Sequence, residues 1–434
     1  MKIHELTVQN FRCFENEVFE FSPQFNLFVG VNGSGKSSLL KAVAASLAAP
    51  LNGLGTRQTW PHIKEENARL VLIEQKGHIR YEHCYPVRLV AKGNVSSKDC
   101  KWSVESEGSS QATNKIDSES YRLLKHKAEN TEQGLFNTLA LIAFYTGERR
   151  WILSDTSAKT AVTQKESRLD AYSSWDNAAL DTKGLESWII AKSLENLEDM
   201  TSGDYELHEK PLNELDIVNT TVQKAIPGSK GLRYHIKYRR LILEWDSPNT
   251  EPTPFKALSD GQRAMVALVA DIARRMCLLN PQLGDLVLKE TPGIVIIDEL
   301  DIHLHPAWQR ALPNLLKEVF PKIQFIAASH SPQIISELSA DEIWIMNNSQ
   351  VLGHPERSLG LTSGEVLEEL MGAKARNEEV ASQLEEINTL LDKDHISLAQ
   401  EKLKKLRDKV GSIPSTLELE AEAQSLAWLK EDNE

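Results

Sequence analysis

The stretch Gly30-Val-Asn-Gly-Ser-Gly-Lys-Ser37 follows an apolar run, Phe25-Asn-Leu-Phe-Val29, and precedes Leu40, Val43, Ala44 and Leu47 at helical spacing. A glycine-rich turn therefore joins a strand to a helix, the context in which the pattern GxxxxGK[ST] cradles phosphates. Backbone N–H groups of Asn32, Gly33, Ser34, Gly35, Lys36, Ser37 and Ser38 would wrap an anion at the helix N-terminus, where the dipole is equivalent to roughly half a positive charge. Lys36 would reach the β- and γ-phosphates of ATP, and the Ser37 hydroxyl would bind Mg²⁺. A glycine loop without a ligand is the competing reading, and a rare one in this setting.

Gly293-Ile-Val-Ile-Ile-Asp-Glu299 reads as a buried parallel strand ending in two acids, at the carboxyl edge where such sheets hold ligands. Asp298 would hold Mg²⁺ through water, and Glu299 would deprotonate a water in line with the γ-phosphate. Paired acids after a strand also serve as plain helix caps, a reading that the phosphate loop makes the weaker one.

Leu258-Ser-Asp-Gly-Gln262 resembles the signature motif of ABC ATPases, with Asp260 in its third place. Ser259, Asp260, Gly261 and Gln262 open a helix marked by Met265, Leu268, Val269 and Ile272. In that class the helix N-terminus faces the γ-phosphate held by a second subunit, so one chain would not complete its own site. An ordinary helix cap would explain five such residues in isolation. Phe325-Ile-Ala-Ala-Ser-His330 is another buried strand, and His330 resembles the switch histidine that contacts the γ-phosphate. His303 and His305 have an HxH spacing with no third metal ligand in view, so they read as the loop that crosses a dimer interface. His305 stands where ABC proteins usually carry Asp. The Q-loop glutamine is not placed; Gln58 and Gln75 are both candidates.

Outward from these motifs, residues 2–28 alternate in strand fashion, and further strands are expected at 70–73, 79–90 and 138–145. Pro50 and Gly53 are expected to end the helix after the phosphate loop. Residues 105–120, rich in Ser and Glu, read as loop, and 185–225 read as helical. The alternation of Gly231-Leu-Arg-Tyr-His-Ile-Lys-Tyr-Arg-Arg240 gives a strand with one basic face, fit for nucleic acid or an acidic partner, although a solvated face is the commoner meaning. Three short apolar stripes follow, Leu384, Ile387 and Leu391, then Ala399, Leu403, Leu406 and Val410, then Leu419, Ala423 and Leu426. The expected division is an N-terminal part of an ATPase lobe over 1–150, a mostly helical insert over 151–230, the rest of the ATPase lobe over 231–357, and a helical region for assembly or partner binding over 358–434.

Among 434 residues, 41% are hydrophobic and 26% charged, the balance of a globular protein. No apolar run approaches the roughly 20 residues of a membrane span. The N-terminus lacks the pattern of a signal peptide, and Cys13, Cys84, Cys100 and Cys277 form no CxxC pair. A cytoplasmic location is the expectation. The net charge of −13 opposes sequence-independent coating of nucleic acid, so any contact with it must be local.

Taken together, Asn10-Phe-Arg-Cys-Phe14, the phosphate loop, Leu258-Ser-Asp-Gly-Gln262, Asp298-Glu-Leu-Asp-Ile-His-Leu-His-Pro306 and Ala328-Ser-His-Ser-Pro-Gln333 resemble RecF/SMC-related bacterial ATPases. The segment Ser358-Leu-Gly-Leu-Thr-Ser-Gly-Glu-Val-Leu-Glu-Glu-Leu-Met371 and the helices after it are similar to the ATPase subunit of Septu-type and retron-associated anti-phage systems. The resemblance implies an α/β fold, an ABC-type P-loop ATPase head with a helical insert and a C-terminal helical region. It also implies ATP hydrolysis with Mg²⁺, head-to-tail self-association and a separate HNH-type nuclease as partner. No nuclease is visible in the chain, and the short helical region after Met346 argues against a Toprim domain. The alternative is a RecF-like repair or chromosome-associated ATPase that clamps DNA directly. The stretch from Lys36 to Ser259 is too short for the long arm of a true SMC protein. An ABC transporter's nucleotide-binding subunit is disfavoured by the N-terminal Asn-Phe-Arg strand and the extra helices.

Overall fold

The structure, a computed structural model, describes residues 1–54, 63–75, 78–108, 115–116, 118–149, 151, 167–202 and 213–431. Two compact units result, Met1–Gly360 and Leu361–Glu434. In chain order the first unit carries strands β1 (Lys2–Phe11), β2 (Phe14–Glu20), β3 (Phe25–Val29), β4 (Arg69–Gln75), β5 (His78–Cys84), β6 (Val87–Val95), β7 (Lys98–Ser106), β8 (Lys115–Ile116) and β9 (Leu141–Tyr145). These are followed by β10 (Ser229–His235), β11 (Arg240–Trp245), β12 (Thr253–Pro254), β13 (Gly293–Ile297), β14 (Ile323–Ala328), β15 (Ile343–Asn347) and β16 (Gln350–Gly353).

The central sheet has the order β16-β15-β3-β14-β13-β9 and is parallel apart from β16. Every residue of β3, β13 and β14 is buried, as in strands covered on both faces; their runs are apolar but for Asn26 and Gln324, whose side chains are hydrogen-bonded. Because β3, β9, β13 and β14 run the same way, the loops after Val29, Tyr145, Ile297 and Ala328 all emerge at one edge.

The helix Lys36–Leu51 packs between this sheet and a second, antiparallel one of order β2-β1-β6-β7-β8. Covered on nearly every side, it is built largely of Ala and Leu. Trp102 Nε1 donates to Ser46 O at 3.1 Å, and Gln324 joins the two sheets by bonding both N–H and C=O of Ile3 at 2.8 and 2.7 Å. Pro50 lies inside the last turn, so the helix runs one residue beyond it.

Three sequence expectations change. Residues 79–90 are not one strand: Pro86, which has no N–H for a ladder, separates β5, paired with β4, from β6, paired with β1. Residues 105–120 are not all loop, since β7 extends to Ser106 and the helix Ser118–Glu132 begins within them. Only Leu124 and Ala128 of that helix carry fully buried apolar side chains, a stripe too thin to stand out among polar neighbours. The basic strand stops at His235. Arg239 adopts φ 49° in the turn that leads into β11, and Arg233 pairs with Glu244, so the basic face is interrupted.

The strands β10-β11-β12 form a small sheet packed against the helices Thr182–Ser202 and Glu214–Ala225, the latter lying on the helix Asp260–Leu279. The second unit is built of helices Glu378–Asp392, Ile396–Val410 and Pro414–Glu431. Leu384, Ile387 and Leu391 share a core with Ala399, Leu403, Leu406 and Ala423, so the apolar stripes cover one another. Among the described residues no helix is long and apolar enough to cross a membrane.

Candidate functional site

The loops at the carboxyl edge of the central sheet enclose a cavity of about 280 Å³ lined by Cys13, Asn32, Gly33, Gly35, Lys36, Ser37, Ser38, Asp298, Glu299, Ala328, Ser329 and His330. Gly35 turns the chain into its helix at φ 101°, a left-handed value that favours glycine, and a Cβ there would stand 3.2 Å from Cys13 Sγ. Ser34 is buried beneath the loop. Lys36 Nζ donates to Gly30 O at 2.9 Å, Val31 O at 3.0 Å and Ser34 Oγ at 3.3 Å, closing the loop on itself. Burial lowers the pKa of Lys36, against the raising pull of Asp298 and Asp301.

Ser37 Oγ donates to Asp298 Oδ1 at 3.1 Å, joining loop and acid in one group. Asp298 is buried, and its N–H donates to Tyr145 O at 2.8 Å across the β9–β13 register. Glu299 is exposed to the cavity and adopts φ 50°. His330 N–H donates to Asp301 Oδ1 at 3.3 Å, and Ser329 Oγ donates to the same oxygen at 2.5 Å. Burial, and after it the charge of Lys36, lowers the His330 pKa below its ordinary value, which favours a neutral imidazole.

Ser259, Asp260, Gly261 and Gln262 lie apart from that lining. Ser259 caps the helix Asp260–Leu279: Gln262 N–H donates to Ser259 Oγ at 3.3 Å while Ser259 N–H donates to Gln262 Oε1 at 3.1 Å. Ser259 and Asp260 are exposed, so this helix N-terminus faces outward from its own chain. Gly261 is buried against the loop after Glu299, where a Cβ would stand 2.6 Å from His303 O. His305 acts as the N-cap of the helix Pro306–Val319, its Nδ1 accepting from Ala307 N–H at 3.3 Å. Of the Q-loop candidates, Gln58 lies outside the described residues and Gln75 ends β4.

Several neighbours are not among the residues to which the sequence assigns a chemical role. Cys13 reaches the cavity from the β1–β2 turn. Tyr145 OH donates to Asp271 Oδ2 at 2.8 Å, and Arg275 Nε bonds the same oxygen at 2.8 Å, all three side chains fully buried. Asp271 holds Arg275 above its ordinary pKa although burial pulls the other way. The helix that opens with Ser259 is thereby tied to the strand beside Asp298.

A parallel sheet whose glycine loop, paired acids and strand-end histidine meet in one cavity defines an ABC-type P-loop ATPase head of the SMC/RecF class. The chain belongs to the RecF/RecN/SMC N terminal domain family, whose profile matches residues 2–351. It is 27% identical over 436 aligned positions to "Retron Ec83 probable ATPase" of Escherichia coli, covering 87% of this chain and 77% of that protein. It is 24% identical over 233 positions to "Septu protein PtuA" of Bacillus thuringiensis, covering 50% and 59% respectively. Among solved structures it is similar to the Smc head domain with an extended coiled coil bound to the C-terminal domain of ScpA, derived from Pyrococcus furiosus. That match has 16% identity and a TM-score of 0.46, and covers 82% of this chain and 96% of the other.

Proposed function

We propose that this chain is the ATP-binding and ATP-hydrolysing regulatory subunit of an anti-phage defence complex, in which nucleotide-dependent dimerisation of two heads controls a partner HNH-type nuclease. One observation carries the dimer: the signature residues Ser259–Gln262 sit on an exposed helix N-terminus outside the cavity that holds Lys36 and Glu299. An N-terminus of this kind favours an anion, and a second copy can bring one to it. The likeness to retron and Septu ATPases supports the defence role. The unit Leu361–Glu434 is assigned to assembly or partner binding.

The residues fit ATP. Gly33 lines the cavity at φ 83°, and no protein atom beyond its chain neighbours lies within 4 Å of where its Cβ would stand, so the loop leaves open space over its backbone, as a phosphate cradle needs. They also fit Mg²⁺, which keeps several waters and takes few protein oxygens; Ser37 and Asp298 would hold it. Bound Mg²⁺ would neutralise charge developing on the phosphate oxygens. Lys36 would exchange its loop carbonyls for β- and γ-phosphate oxygens. Glu299 would take a proton from a water as its oxygen attacks the γ-phosphorus and the bond from that phosphorus to the bridging β-phosphate oxygen breaks, releasing ADP, and His330 would donate to the γ-phosphate. Glu299→Gln is expected to keep nucleotide affinity, slow hydrolysis by roughly 10²- to 10⁴-fold and accumulate a closed dimer with ATP, seen by mass in solution. A variant that hydrolyses ATP at the wild-type rate would move the base elsewhere.

The alternative, a RecF-like ATPase that binds DNA directly, is favoured by one feature. Lys237, Arg239 and Arg240 at the β10–β11 turn are exposed and have no carboxylate partner among the described residues. Binding of duplex DNA that weakens steeply with salt and is lost on replacing all three would support it.

A further inference from the structure

Glu299 is held in a strained backbone conformation that non-glycine residues avoid, φ 50°. The carbonyls at either end of this residue's strained link, Asp298 O and Glu299 O, converge on one guanidinium. Arg149 Nη1 donates to Asp298 O at 2.5 Å and Nη2 to Glu299 O at 2.7 Å. Arg149 is only 4% exposed, and no carboxylate among the described residues forms an ion pair with it. Burying an arginine that closes no ion pair is unfavourable unless its hydrogen bonds are needed. Burial lowers its pKa to about 10 although Asp298, Glu299 and Asp301 pull it up from a distance, and it stays charged at neutral pH. Arg149 does not line the cavity. On the same loop, Gly147 forms the floor under the glutamate: a Cβ there would stand 2.9 Å from Glu299 Cδ.

We propose that Arg149 is a positioning residue for Glu299: its planar fork pins the two carbonyls of the left-handed turn and so aims the carboxylate into the cavity, without touching the nucleotide. The inference rests on the reading of Glu299 as general base. Lysine keeps the charge but cannot span two carbonyls with one rigid plane. Displacing a reacting group by about 1 Å can cost 10²-fold in rate.

The test uses the full chain carrying Arg149→Lys, with turnover and ATP affinity measured separately. Turnover is expected to fall by about 10- to 100-fold, with affinity for a fluorescent ATP analogue unchanged, which also reports a folded head. Combined with Glu299→Gln, Arg149→Lys should slow hydrolysis no further, because both act through one carboxylate. A merely structural role would lower affinity and rate together, and the losses would multiply. Wild-type turnover in Arg149→Lys, a loss of affinity matching the loss of rate, or multiplying effects would each overturn the proposal. If Arg149→Lys does not fold, Arg149→Gln, which keeps a planar donor for one carbonyl, carries the same three readouts. Normal hydrolysis by Glu299→Gln alone would instead remove the general-base reading, whereas a slow Glu299→Gln beside a normal Arg149→Lys would remove only this inference.

Discussion

If the site is shared between two heads, two dead variants should restore each other. Ser259→Arg alters an exposed N-cap whose loss costs about 0.5–2 kcal/mol, small beside the burial of the rest of its helix. The variant should therefore fold and, with Lys36 intact, bind ATP, while its bulk blocks the approach of the helix to the partner's γ-phosphate. Lys36→Ala removes the charge on the phosphates and should lose nucleotide affinity, with its signature helix untouched. Each is expected to be inactive alone. A mixed dimer gathers both lesions in one site and leaves the other with wild-type Lys36 and wild-type Ser259. In an equimolar, freely exchanging mixture half of the dimers are mixed and each has one good site, so turnover should return to roughly a quarter of wild type. Phosphate release is the assay, and exchange is checked by mass with differently tagged copies. A mixture that stays dead while exchange is demonstrated would leave no room for independent composite sites. Full activity of Ser259→Arg alone would exclude the shared site outright.

Cys13 is the exposed cysteine and lines the cavity proposed for nucleotide, whereas Cys100 and Cys277 are buried. Its alkylation is expected to slow by up to about 100-fold with nucleotide at 100 times its Kd; an unchanged rate would put the nucleotide elsewhere. Tyr145→Phe removes a hydrogen bond to the fully buried Asp271 carboxylate and should cost about 1.5–3 kcal/mol, at the lower end because Arg275 still bonds that oxygen. Denaturation that shows no loss of stability would mean that the bond is dispensable. Removal of Leu361–Glu434 should release the partner or lower the assembly mass, and an unchanged complex would refute the assignment of that unit.

How far the sequence could be read depends on the range of each interaction. The strands Phe25–Val29, Gly293–Ile297 and Ile323–Ala328 announce themselves because burial on both faces leaves them apolar but for Asn26 and Gln324, and their loops are legible because each chemical group stands next to the strand that aims it. The basic strand departs from its pattern for the converse reason: alternation continues past His235, but the turn at Ile236–Arg239 depends on pairing with β11, which the pattern does not contain. The helix Ser118–Glu132 was hidden because it is anchored by few apolar contacts. Arg149 lies 150 residues from Glu299 in sequence, and its partners are carbonyls, which every residue carries. No residue-type pattern can signal such a bond. Asp271 and Arg275 do keep an i, i+4 spacing, yet on a helix this is the signature of a solvent-exposed ion pair, and the partners that make it a core contact, Tyr145 on Asp271 and the carbonyls of Ala171 and Ser173 on Arg275, are distant in sequence. Local motifs thus point to the groups that gather at the cavity, while the residues that hold those groups in place are set by contacts across the sheet and come into view only with the fold.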